Sequence, residues 1–557
     1  MRFFNFVIHV WQKSSFREKG IFILCSLAII IGLIGSGTII LNKITVFVPR
    51  EGGTLTLGLV GHISYLNPIL SQSNDCDRDL IELIYNGLYK IDGQGDLEPS
   101  LAEKTEISPD GKTYTVFLKD NVFWHDGLPF TADDVVFTIE TIQNPKIKSP
   151  LLLNWEGVVV ERLSSNVIRF NLKNPYEPFL QNLTLKIIPK HIWENIQPED
   201  IVHTEYNIKP IGTGSYLFDN LDKSSNGKIS GYSLVANANS ANSFEGKPKI
   251  NRLIFRFYDN TEEAKEALLK NEIEAISPIL IKDYKFFENK KDYQIFSLYL
   301  PRYYAIFFNL NNNLLSSKDF RQALNLAIDK SSLVNNILNK QAFALTGPIS
   351  PGFWSYQKFD TEYNPAKALE IINKLKNTTS ESKSGPKELK FTLSLPDNPE
   401  LVEVAKFLIN CWKAIDVEVE LQILPLVDLE KNVIQTRSYN ALLFGEIISE
   451  DPDLFSFWHS SQITDPGLNL SAYKNQSLDK LLEETRQILN EDRRLENIKQ
   501  IQTILVADEP AIFLYNPYYL YLLPKQVQGI KIKYANLPSE RWSDIKNWFI
   551  YTKRKLK

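Results

Sequence analysis

The side chains with the most chemical capacity are histidines, cysteines and carboxylates, and their spacing limits what they can do. His125 and Asp126 are adjacent, as in a proton-transfer couple, but they belong to the turn His125-Asp126-Gly127, where Asp and Gly serve the backbone. The other histidines, His9, His62, His191, His203 and His459, form no His-x-x-x-His pair and join no cysteine ligand set. Cys25, Cys76 and Cys411 are far apart and can form one pair at most, so they read as free thiols rather than a disulfide framework. No Gly-x-Ser-x-Gly elbow occurs. Gly212-Thr213-Gly214 lacks the Gly-Lys of a phosphate loop and reads as a tight turn into a strand. Neither an enzyme nor a cofactor is expected. Binding is different chemistry: a polar solute enclosed between two walls needs fixed partners for its charged ends, because an unpaired buried charge is costly.

The chain has 557 residues, well beyond the roughly 250–300 at which one core stops growing, so at least two lobes are expected. Residues 113–119 alternate apolar and polar as a strand. The turn Ser108-Pro109-Asp110-Gly111 precedes it, and Thr131 then caps a helix with Asp133 and Asp134 in its first turn. Further strands are expected at 52–59, in a hairpin over 157–172, in 232–258, and at 303–310, 442–445 and 511–516. Helices are expected at about 77–88, 261–271, 318–329 and 477–507. Strand 388–394, helix 399–414 and strand 417–424 make a β-α-β unit, the sign of a parallel sheet covered by helices. Tyr303, Tyr304 and the run near Tyr515–Tyr521 read as core and hinge packing. The fold class is α/β.

Residues 21–41 contain no charge, and about 20 apolar residues span a bilayer as a helix. Lys13, Arg17 and Lys19 precede this run, which puts the N-terminus in the cytoplasm and the rest on the outer face, periplasmic or extracellular. An uncleaved single-pass anchor is expected, rather than a signal peptide. The net charge is −4; residues 1–41 carry +3 of it, which leaves −7 for the remainder. An acidic ectodomain argues against nucleic acid as a partner.

Residues 111–137, from Gly111-Lys112-Thr113-Tyr114 through Phe123-Trp124-His125-Asp126-Gly127 to Thr131-Ala132-Asp133-Asp134-Val135, resemble the signature of the solute-binding proteins of peptide- and nickel-type ABC transporters (family 5). Leu66-Asn67-Pro68, Tyr85-Asn86-Gly87-Leu88, Ile211–Tyr216, Phe320–Asp329 and Ala511–Tyr515 agree with further motifs in the same order. The resemblance implies a two-lobed periplasmic-binding-protein-like fold of the class II type. It implies capture of a peptide-like solute and delivery to ABC permease subunits, by a monomer. It also implies site residues. The loop after Leu66-Asn67-Pro68 lends contacts, here Gln72 and Asn74. An aromatic residue usually follows a Ser-Pro, but here Leu151 follows Ser149-Pro150. An Asp four residues before the Asp-Pro proline holds the peptide ammonium, but counting back from Pro452 gives Ile448. Gly445, Glu446, Glu450 and Asp451 share this segment. Glu446 has the parity of Ile448 and is the better substitute, alternation deciding whether it or Glu450 faces the solute. These departures weaken the peptide reading and leave the fold reading intact.

The resulting division is a cytoplasmic stretch 1–20, an anchor 21–41, a tether 42–51, a first lobe 52–300 with a subdomain at about 76–190, a second lobe 301–507, and a return to the first lobe over 508–557. The hinge is expected near 298–303 and 508–516. Rival readings are a non-peptide solute such as a sugar or metal chelate, a sensor working through a partner, and an anchored hydrolase.

Overall fold

The computed structural model describes residues 11, 15–17, 19–21, 23–25, 27, 31–32, 45–70, 74–176, 178–237, 246–360, 362–380, 389–448 and 452–556. Much of the expected anchor 21–41 lies outside the described residues. Among those described, no helix is long and apolar enough to cross a membrane.

Strand Thr113–Leu118 buries every second residue, Tyr114, Val116 and Leu118, as its alternation predicts. It lies in a four-stranded antiparallel sheet with Ala102–Ile107, Val167–Asn171 and Val159–Ser164. Helix Ala132–Gln143 follows. Asp134 accepts the Thr131 backbone N–H at 2.8 Å with one oxygen and the Lys190 N–H at 2.9 Å with the other. One acidic side chain thus caps this helix and binds it to a distant segment.

Helix Asp75–Ile84 ends earlier than the expected 77–88. Gly212-Thr213-Gly214 explains the stop. The Gly214 N–H donates to the Ile84 carbonyl at 2.8 Å, and a Cβ on Gly212 would lie 1.9 Å from that same oxygen. These glycines permit close backbone approach at a helix end. His125 fastens the same turn: its Nδ1 accepts from the Gly212 N–H at 3.2 Å, and its Nε2 lies 3.0 Å from the Gly214 carbonyl oxygen. That pattern is a neutral ring protonated on Nε2, and burial pulls its pKa down to about 4. Asp126 pairs with His191 at 2.7 Å.

Two larger sheets organise the rest. The seven-stranded sheet runs in the order Tyr293–Leu298, Tyr519–Pro524, Ala275–Ser277, Thr54–Val60, Arg252–Tyr258, Ile229–Ala236, Tyr216–Lys223. The six-stranded sheet runs Ala342–Ala344, Ala511–Pro517, Arg302–Phe308, Ala441–Ile447, Lys390–Pro396, Glu418–Leu424. Each contains parallel pairs: Thr54–Val60 with Arg252–Tyr258, and Lys390–Pro396 with Glu418–Leu424. Helix Pro399–Lys413 makes the crossover of the second pair, as parallel neighbours require, and helix Thr261–Leu269 carries the chain from Arg252–Tyr258 to Ala275–Ser277, which both lie parallel to Thr54–Val60.

The chain passes from the first sheet to the second between Leu298 and Arg302, and back between Pro517 and Tyr519. The return therefore comes after the stretch 508–516 expected to hold it. Strand Ala511–Pro517 is buried throughout and is paired on both sides, with Arg302–Phe308 and Ala342–Ala344. A strand apolar on both faces belongs inside a sheet. Outside the two sheets, Thr45–Arg50 pairs antiparallel with Tyr551–Leu556, from Thr45↔Leu556 to Arg50↔Tyr551.

Candidate ligand-binding cleft

Parallel strands present their carboxyl ends on one side of a sheet, and binding loops grow from those ends. In the first lobe these ends are Val60, Tyr258 and Ser277. In the second they are Pro396 and Ile447. Both sets lie beside the two crossings, since Arg302 pairs with Ile447 and Ser277 Oγ bonds Tyr519 Oη at 2.9 Å. The strand ends at Val60, Tyr258, Pro396 and Ile447 therefore lie at the hinge ends of the two sheets. The lobes also touch further out. Tyr176 Oη of the first donates to Asp453 of the second at 3.4 Å. Arg486 binds Asp453 with Nε at 2.9 Å and Nη2 at 2.7 Å, and its guanidinium lies 4.2 Å from the Phe455 ring centre and 5.7 Å from that of Tyr176.

The expected site residues are placed as follows. Asn74 caps helix Asp75–Ile84: its Oδ1 accepts from the Cys76 N–H at 3.0 Å, and its Nδ2 donates to the His62 carbonyl at 2.7 Å. Gln72 lies outside the described residues. Leu151 is half-buried against the first-lobe core. The preceding Ser149 ties that turn to the Ile69 carbonyl at 2.7 Å. Leu151 also lines a cavity of about 240 Å³ inside the first lobe, with Arg78, Glu82 and Trp155. Glu450 and Asp451 lie outside the described residues.

Gly445, Glu446 and Ile448 are divided between the two faces of the six-stranded sheet. Ile448 is buried in the apolar cluster of Tyr303, Phe307, Leu454, Trp458 and Phe513. Glu446 points the same way, as its parity predicts, and is 6% exposed. Its Oε2 accepts from the Tyr303 hydroxyl, while Oε1 has no partner. Burial pushes its pKa up to about 8. The carboxylate expected to receive a ligand ammonium is thus already engaged within the protein's own interior.

Gly445 faces the opposite side, where a Cβ would come 2.9 Å from the Tyr304 ring. On this face Tyr304 and Tyr515 stack, with centroids 5.2 Å apart and planes at 21°. Glu400 and Arg302 stand beside them. Glu400 lies in the first turn of helix Pro399–Lys413, just past the end of strand Lys390–Pro396. Burial pushes its pKa up to about 7, and the nearby Arg302 charge opposes that rise. Among the described residues the two are not in ion-pair contact: Arg302 Nη2 reaches the Pro517 carbonyl at 3.5 Å, and its Nε is buried without a partner. The Tyr515 hydroxyl, fully buried, also lacks one. The sequence reading had no role for Arg302 or Glu400 and took the tyrosines as packing. The available signal was an Arg at the first hinge crossing and an acid immediately after a parallel strand.

Two sheets joined by two short crossings, with loop-bearing strand ends turned toward each other, define the two-lobed class of solute-binding proteins. The comparisons agree. Residues 96–466 match the model of bacterial extracellular solute-binding proteins, family 5. The oligopeptide-binding protein AppA of Bacillus subtilis (strain 168) is 29% identical over 517 residues, spanning 90% of this chain and 92% of that one. The structure of AppA with a nonapeptide superposes with a TM-score of 0.73 at 28% identity, over 90% of this chain and 100% of that one. NikZ from Campylobacter jejuni in complex with Ni(L-His) gives a TM-score of 0.73 at 29% identity, over the same shares. The chain belongs to the bacterial extracellular solute-binding proteins, family 5. It is a binding protein rather than an enzyme, and its two-lobed part works outside the cytoplasm.

Proposed function

We propose that this protein captures a peptide between its lobes and delivers it to the permease subunits of an ABC transporter. On this reading it works as a monomer, held at the outer face of the cytoplasmic membrane by residues 21–41 and needing no cofactor. The carrying observation is that, among the described residues, Arg302 Nε and the Tyr515 hydroxyl are buried without partners where the second-lobe sheet meets the hinge, with Glu400 beside them in no ion pair. Buried polar groups are otherwise nearly always paired, and a ligand enclosed by hinge closure would pair these. The cleft walls would include the loop of Gln72 and Asn74, the turn at Leu151, and the strand end from Gly445 through Ile448 to Glu450 and Asp451. AppA, bound to a nonapeptide, supports the substrate class.

A metal chelate is the second reading, favoured by the similarity to NikZ with Ni(L-His). Among the described residues no group of His, Cys, Asp or Glu could hold a metal ion, so this protein would grip such a ligand through its organic part. A random pentapeptide pool added to the purified protein should raise its melting temperature, as any ligand of the native state does. A shift with Ni(L-His) and none with peptides would replace the first reading by the second.

A further inference from the structure

A second opening lies on the other side of the two crossings. It is a groove of about 650 Å³, within the range of small-molecule sites. Its aromatic walls come from both lobes: Tyr299 stands in the first crossing and Tyr518 in the second, Phe343 belongs to the second-lobe sheet, and Tyr534 bridges to Tyr299 from the first lobe. The Tyr299 ring centre is 5.5 Å from that of Tyr534, 5.3 Å from Phe343 and 6.3 Å from Tyr518, and Phe343 and Tyr518 are 5.2 Å apart. These pairs meet at 60° to 69°, so the rings do not stack face on face, and a planar apolar body can lie against them. Phe343, Tyr518 and Tyr534 are only half-buried.

Lys340, Lys531 and Lys533 line the same groove and are exposed. Among the described residues none of the three is in an ion pair, and no carboxylate lines the groove. Three cations without counter-ions, in an ectodomain that is acidic overall, favour an anion there. The groove is also distinct from the cleft. It is lined by the edge strands Tyr293–Leu298 and Ala342–Ala344. In both sheets the strands whose carboxyl ends border the cleft lie beyond the strands that make the crossings.

We propose that this groove is a second binding site, for a small organic anion with an aromatic body, and that its occupancy is coupled to solute capture. The rings cover the body and the lysines neutralise the charge. An occupant touches both lobes and both crossings, so its affinity depends on the angle between the lobes. By linkage, the affinity of the cleft for its solute then depends on the occupant. The site stands apart from the peptide reading above, and only the coupling is tested with peptides.

The test is titration calorimetry of the full-length protein with three probes of similar size: phenylacetate, its neutral amide phenylacetamide, and the non-aromatic anion cyclohexylacetate. The wild type should prefer phenylacetate to the amide by at least about tenfold, the fold-change of one charge-assisted contact, and to cyclohexylacetate by at least about threefold. Exchanging Lys340, Lys531 and Lys533 together for Gln should abolish the preference over the amide. Exchanging the exposed Lys104, Lys146 and Lys270 for Gln should leave it intact. No binding of phenylacetate, no preference in the wild type, or a preference that survives in the groove variant would overturn the site. For the coupling, the phenylacetate titration is repeated at rising concentrations of the pentapeptide pool. Its dissociation constant should change by at least about fivefold and then level off. A rise without limit would mean competition for one opening and would overturn the second site. No change, at pool concentrations that raise the melting temperature, would overturn the coupling. A pool that never raises the melting temperature would count against the peptide reading, and the lysine variants would still decide the site.

Discussion

Two acid–arginine neighbourhoods can be set side by side. In the first-lobe core, Asp79 and Arg541 face each other squarely, with Arg541 Nη1 donating to Asp79 Oδ1 at 2.7 Å and Nη2 bonding the other oxygen. Arg541 also donates to the Pro538 carbonyl at 2.7 Å and lies 4.8 Å from the Trp542 ring centre. Its side chain is 1% exposed, and that of Asp79 is 4%. At the hinge end of the second lobe, Arg302 and Glu400 form no ion pair with each other among the described residues, and Arg302 keeps a buried Nε without a partner there. The first arrangement is closed: both charges are saturated, and their value is to the fold. The second is open, and an open buried arrangement is costly unless something completes it. Glu446 with Tyr303 stands between these extremes, with one oxygen bonded and one idle.

The contrast can be broken from its closed side first. Arg541→Met should strand the Asp79 charge and lower unfolding free energy by about 3–5 kcal/mol, read by urea denaturation; a loss below about 1 kcal/mol would mean that Asp79 finds water or a proton. From the open side, Glu400→Gln removes a charge that has no ion pair among the described residues and should change unfolding free energy by less than about 0.5 kcal/mol in the same urea denaturation; a loss above about 1 kcal/mol would show that the open neighbourhood is structural. For the intermediate case, Glu446→Ala leaves the buried Tyr303 hydroxyl without its acceptor and should cost about 1–3 kcal/mol of stability. A large loss of ligand affinity with no stability change would return Glu446 to the cleft.

Glu446 also sets a pH dependence. Burial raises the Glu446 pKa from 4.5 to about 8, so the folded protein keeps a proton that the unfolded chain releases. That contribution is fully present below about pH 4.5 and is lost as the pH rises toward 8, each tenfold in acidity being worth about 1.4 kcal/mol. Unfolding free energy measured from pH 5 to 8 should fall more steeply for the wild type than for Glu446→Gln. Parallel curves would show that this carboxyl titrates as it does in water.

The same contrast marks where sequence reading succeeded. Strand 113–118, the capped helix after Thr131 and the β-α-β unit over Lys390–Leu424 were legible, because local geometry and one buried face suffice to specify them. Helix Asp75–Ile84 ended early because its terminus is set by Gly212 and Gly214, far away in the chain. Parity correctly put Glu446 and Ile448 on one face. It could not say which face of a doubly covered sheet opens to solute, and the unsatisfied cluster lies on the other. Glu400 escaped notice because an acid in the first turn of a helix already has a sufficient explanation in the helix dipole. Only its missing partners, a three-dimensional fact, set it apart.

The ribbon of Thr45–Arg50 with Tyr551–Leu556 bears on how such a molecule would move. Its two strands run directly into and out of the first lobe, through Gly52 and Gly53 on one side and Phe549 and Ile550 on the other. Were the proposed anchor to hold the chain before Thr45, its tension would enter the molecule through the first lobe. The second lobe, joined to the first by the two crossings, would then be the part set in motion when the hinge closes.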